Sequence, residues 1–123
     1  ETAVSAAKSA SMMELLAHYD IDWSTNQHKQ KFLAIIADDD VDMAKLVVTS
    51  GGNVNEALNS DGETAVSAAK SASMMELLAH YDIDWSTNQH KQKVLAVIAN
   101  DDVDLASILV ASAGFIVNEA LNS

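Results

Sequence analysis

Apolar residues fall into short blocks separated by polar runs, and the blocks carry helical spacing. Met12, Leu15, Leu16 and Tyr19 stand at i, i+3, i+4 and i+7, one stripe of an amphipathic helix packing on a core. Ser11-x-x-Glu14 has the form of a capping box, whose side chains would satisfy the first free N–H groups of that helix. Ahead of it, Thr2 to Ser9 is Ala-rich and predicts a short helix, because Ala has the highest helix propensity. Asp20 to Lys31 is polar and predicts a connector. Phe32 to Ala37 is apolar nearly all round and predicts an inner helix. One Asp of Asp38-Asp39-Asp40 can cap the next helix, and Asp42 in its first turn complements the helix dipole. That helix runs from about 41 to 50 and stops at Gly51-Gly52. The plan then recurs, with helices expected at about 64–71, 74–81, 93–99 and 103–113. Leu46-Val47-Val48 and Ile108-Leu109-Val110 have strand-like composition, yet each lies between a capped start and a Gly stop, so both predict buried helix. With no Pro to break helices, the fold class expected is all-α.

The recurrence is a duplication. Residues 1–31 return unchanged at 63–93, and the following block returns from Val94 with ten substitutions and one inserted residue. Val54 to Ser60 then returns at 117–123. Two units follow, 1–62 and 63–123, each of two helix pairs. Polar positions such as Asn26, Gln27, His28 and Lys29 match as well as apolar ones, so the duplication is either recent or made, and an engineered tandem is the reading preferred here. Swaps such as Phe32/Val94, Ile35/Val97 and Met43/Leu105 keep apolar character, as buried positions require. Lys45/Ser107, Thr49/Ala111 and Asn53/Phe115 make the second copy less charged, which suggests that its last helix pair packs differently.

Charge narrows the partners. The chain carries 18 acidic residues against seven basic ones, for a net charge of −11. Phosphate contacts need a basic surface, so nucleic acid is not an expected partner, and a protein or peptide with a basic or mixed surface is. No apolar run approaches the length of a membrane span, and a soluble chain is expected. There is no Cys and hence no disulfide framework. The first residue lies inside a repeat, so the start of the chain says nothing of targeting.

The stretch Phe32 to Val66 resembles ankyrin repeats. Leu46-Val47-Val48 match that family's aliphatic triplet, Gly51 its turn, and Val54-Asn55 the approach to its hairpin. Asp61-Gly62-Glu63-Thr64 match the hairpin that opens the next helix. The departures are Ala65-Val66-Ser67 where the family has Pro-Leu-His, and Lys91 where the third connector should carry the hairpin glycine. The resemblance implies a helical repeat solenoid of about four helix pairs, alternately long and degenerate. It also implies a non-catalytic protein-interaction scaffold whose contacts come from the connector tips and the concave helix face. By position, those contacts would be Asp22, Trp23 and Ser24, then Glu56, Leu58, Asn59 and Asp61, then Asp84, Trp85 and Ser86. Trp23 has two readings: folded back on the core, as is usual for Trp, or offered to a partner.

Other chemistry has weak signals. Counting a calcium loop from Asp38 places Met43 and Thr49 where Gly and Glu are needed. His18, His28, His80 and His90 have no Cys and no paired i, i+4 ligand, so surface or capping roles are expected in place of zinc. No nucleophile elbow or phosphate loop is present, and neither enzymatic activity nor a cofactor or metal is expected. A second reading makes the 62-residue unit a self-associating helical domain, fused here into a dimer about a twofold axis. In the stacked reading neither end carries a polar capping repeat, so self-association through the repeat ends is expected.

Overall fold

A computed structural model of the chain describes residues 1–113. These form eight helices and no strand. They are α1 (Ala3–Ala6), α2 (Ala10–Leu16), α3 (Asn26–Ala37), α4 (Val41–Thr49), α5 (Ala65–Ala68), α6 (Ala72–Ala79), α7 (Asn88–Ala99) and α8 (Val103–Ala113). The repeated stretch 117–123, and Phe115, lie outside the described residues.

Hydroxyl and carboxylate caps set the boundaries. Thr2 and Thr64 open α1 and α5, each in reciprocal bonds with the serine three residues on. Ser9 and Ser71, both extended, accept from the backbone N–H of Met12 and Met74 and open α2 and α6. The cap therefore falls at Ser9, ahead of the expected Ser11–Glu14 box, and Ser11 is helical. Each such cap contributes about 1 kcal/mol. Thr25 and Thr87 open α3 and α7, so the second half of the expected connector Asp20–Lys31 is helix. Gln and Lys are good helix formers, and the Thr cap lets the helix start a turn and a half before its apolar block. Asp40 is the member of the acidic run that caps α4, through the N–H of Met43 at 3.2 Å. The stop is Gly51, at φ 120°, followed by Gly52, where a Cβ would lie 2.7 Å from Val47 Cγ1. The first glycine supplies the left-handed turn and the second the close approach. Both aliphatic triplets are helical, as expected.

Packing proceeds pair by pair. Each odd helix contacts the even helix that follows it. Along the chain α1, α3, α5 and α7 contact one another in succession, and so do α2, α4, α6 and α8. The core runs through both rows, with Met13, Phe32, Ile36 and Val47 in the first half and Val66, Met74, Met75, Leu78, Val94 and Leu109 in the second. The α3 helix is not buried all round: Phe32, Ile35 and Ile36 face the core, while Ala34 and Ala37 are exposed.

The expected stripe on α2 is corrected by position in the stack. Met12, Leu15 and Tyr19 are 48%, 54% and 70% exposed, and the core is met by Met13 and Leu16. The identical residues of the second copy behave otherwise: Met74 is 0% exposed, and Leu77 and Tyr81 are partly buried against the core. Among the described residues, only α6 has a helix, α4, on that side.

Candidate interaction surface

Three connectors join the helix pairs, and local side chains hold each of them. Asp22 accepts from the backbone N–H of Ser24 at 2.9 Å and from its hydroxyl. Asp84 does the same with Ser86, at 3.0 and 2.5 Å. These bonds, the hydroxyl one foremost, hold both carboxyls below the usual range, so the tips are charged at neutral pH. In the middle connector the Asn59 side chain accepts from the N–H groups of Asp61 and Glu63, at 3.0 and 3.1 Å. Leu58 N–H donates to the Glu63 carbonyl at 2.6 Å, and Gly62 takes the positive φ of 79° that this turn needs. Asn55 reaches across to the next connector, donating to Asp82 O at 2.7 Å and accepting from Asp84 N–H at 2.8 Å. The connectors are thus cross-braced, and an ion pair from Lys29 to Glu56 at 3.6 Å adds to the same edge.

Among the residues singled out by sequence, Asp22, Ser24, Asp61, Asp84 and Ser86 are exposed, and Glu56, Asn59 and Trp85 are half-buried. Leu58 is 4% exposed and belongs to the core. So does Trp23, at 7%, which settles its two readings in favour of folding back. Its ring lies edge-on to Phe32, with centroids 6.3 Å apart, and its indole N–H donates to Ser50 Oγ at 3.0 Å. A polar connector can bury a Trp when a helix end offers an acceptor for the indole nitrogen, and the turn after α4 does so. The matching serine in the second copy, Ser112, is still inside α8 and exposed. Trp85 accordingly has no counterpart of the Ser50 bond among the described residues, and it is less buried.

Two of the histidines given surface or capping roles, His28 and His90, are buried against helix caps. His28 Nδ1 lies 2.6 Å from Asp22 O, and its Nε2 lies 2.8 Å from Thr2 Oγ1. His90 repeats this with Asp84 O at 2.8 Å and Thr64 Oγ1 at 2.9 Å. A carbonyl can only accept, so Nδ1 donates and Nε2 takes the threonine hydroxyl proton. Each imidazole therefore ties a connector to the cap of the preceding helix pair. Burial pushes His90 below the ordinary histidine value, against the pull of Asp84. Its neutral form suits a site that offers it one acceptor and one donor. The order Thr25-x-x-His28, and again Thr87-x-x-His90, was the available signal: the threonine caps the helix and the histidine follows in its first turn. His18 and His80 are exposed, as expected.

Lys31 and Lys93 were also passed over. Each donates to the C-cap carbonyl of a short helix, Ala7 O and Ala69 O, at 2.5 Å. Burial lowers the Lys93 pKa. Lys93 also edges a groove between α3 and α5 whose floor is Leu33, Ala34, Ala37 and Ala68. In the acidic run, Asp40 is occupied as a cap and Asp39 accepts from Ser71 Oγ at 2.6 Å. No helix among the described residues is long and apolar enough to cross a membrane. No protein-family model, no curated protein and no solved structure matches the chain.

Proposed function

We propose that the chain is a non-catalytic protein-interaction scaffold of four ankyrin-like helix pairs, made by an engineered tandem duplication. The observation that carries this reading is the repeating contact pattern: every pair meets the next through both its odd and its even helix. The junction between the copies, α3 with α5 and α4 with α6, continues that pattern. Pairing about a twofold axis would bring like faces of the two copies together, so the contacts favour stacking by translation. Further support comes from the Thr-x-x-His order. Absent at Thr64, it stands at Thr25 and Thr87, where the histidine bonds to the neighbouring pair.

The partner face is the braced connector edge, with Asp22, Asp61 and Asp84 exposed and Trp85 as the one half-buried aromatic anchor among the proposed contacts. Trp23 and Leu58 support this face from within the core and do not form it. A rigid, acidic edge with a partly accessible indole suits a basic or mixed peptide or protein surface carrying an apolar residue. Selection of a displayed peptide library on the intact chain tests this. Enriched peptides should be basic, bind more weakly as salt rises, and lose affinity on a chain carrying Asp22→Asn, Asp61→Asn and Asp84→Asn. Enrichment of peptides without basic residues, or binding unchanged by the triple substitution, would defeat the proposal.

A further inference from the structure

We propose that the α1–α2 end of one chain docks on the α7–α8 end of a second copy, repeating between molecules the junction made inside the chain by α3–α4 with α5–α6. This goes beyond the scaffold reading and stands on contacts within the chain.

The receiving half of the internal junction is α5–α6. There Met74 is fully buried, Leu77 and Tyr81 are half-buried, and Ser71 donates to Asp39 Oδ1 at 2.6 Å. Tyr81 lies beside Val48, Gly51 and Gly52, and Leu77 lies beside Lys45. The α1–α2 end has the same sequence, and its Met12, Leu15 and Tyr19 stand open on one face with Ser9 at its edge. The donating half is α3–α4, where Ile36 is 0% exposed beneath the next pair and Val41 is half-buried. Their counterparts on α7–α8, Ile98 and Val103, are 52% and 69% exposed. Asp101 keeps the left-handed backbone of Asp39, at φ 59° against 57°. The side chain that accepts from Ser71 internally thus has an equivalent ready for Ser9 of a second copy. Each end presents side chains whose counterparts meet at the internal junction, which makes the contact heterologous and able to continue chain after chain.

Charge tempers the contact. Lys45 shares the internal junction with Glu76, and on α8 its place is taken by Ser107. The intermolecular junction lacks that cation, and two chains of −11 repel. Association is therefore weaker than the internal junction and is strengthened by salt, which screens the repulsion.

Sedimentation equilibrium on the intact chain, over a range of concentrations at low and high salt, is the experiment. The weight-average mass should rise above 13.1 kDa with concentration, more so at high salt, without settling at a fixed oligomer. Two charge-neutral variants then block one end each: Met12→Gln with Leu15→Gln, and Ile98→Gln with Val103→Gln. All four positions are exposed, and circular dichroism checks that helicity is kept; Tyr19→Gln serves as a second head variant. Either variant alone should self-associate at least about tenfold more weakly. Mixed in equal amounts, they should form a one-to-one complex and stop there, because one intact head and one intact tail remain. A parent chain that stays monomeric throughout would overturn the proposal. So would a tail-blocked variant that still dimerises alone, since that would be a head-to-head contact.

Discussion

His90 shows what a single side chain contributes to the joining of neighbouring units. It spans from the Thr64 cap of α5 to the Asp84 carbonyl of the next connector, wholly buried. Replacing it with an apolar residue would take away the acceptor for the buried Thr64 hydroxyl proton and one donor to the Asp84 carbonyl, at a cost of about 1–3 kcal/mol. Its pKa also makes the junction sensitive to acid. The folded value lies below the unfolded one of about 6.5, so the unfolded chain takes up the proton first as pH falls. The stabilisation is complete above the unfolded value and is lost as pH drops from there toward the folded one. On going from about pH 7.5 to about pH 5.5, the parent melting temperature should fall by more than that of His90→Gln. The carboxylates are common to both proteins, so equal shifts would mean that His90 does not titrate with unfolding. The histidine's identity was plain in the sequence, but its burial was not. An imidazole in a polar run reads as surface until the facing threonine cap, 26 residues away, is placed against it.

At the scale of the element, α2 and α6 make a controlled comparison, because their sequences are the same and their neighbours differ. Met74→Ala removes a fully buried side chain and should cost about 2–5 kcal/mol. Met12→Ala removes one that is 48% exposed and should stay within about 0.5 kcal/mol of the parent. Chemical denaturation of the two variants, at concentrations too low for self-association, measures both; equal losses would mean that the open face of α2 is covered in solution. The periodicity of Met12, Leu15, Leu16 and Tyr19 marked the stripe correctly as apolar. It could not say whether that stripe meets a helix, because the partner is supplied by a different part of the chain. The connectors were misjudged for a related reason. Asp20 to Lys31 reads as loop by polarity, yet its second half is helical, with one side bonding inward through His28 and Lys31 and the other solvated.

Across the whole molecule, protection should follow position in the stack and not copy number. Pairs with neighbours on both sides open only by breaking two junctions, whereas α1–α2 breaks one. Native-state hydrogen exchange should find the amides of α5 and α6 slower than those of α1 and α2, despite matching sequence. Equal rates in the two copies would show that the pairs open as one unit. The sequence by itself determined the helical class, the duplication, an Asp cap for α4, the Gly51-Gly52 stop and the turn at Gly62. All of these depend on interactions within a few residues: capping bonds, glycine backbone freedom, and the spacing of apolar side chains along one helix. Tertiary structure alone decided that Trp23 and Leu58 are core, that His28 and His90 are buried links, and that Met12 is open while Met74 is closed. Burial is a relation between distant segments, so one sequence written twice in a chain acquires two different surroundings.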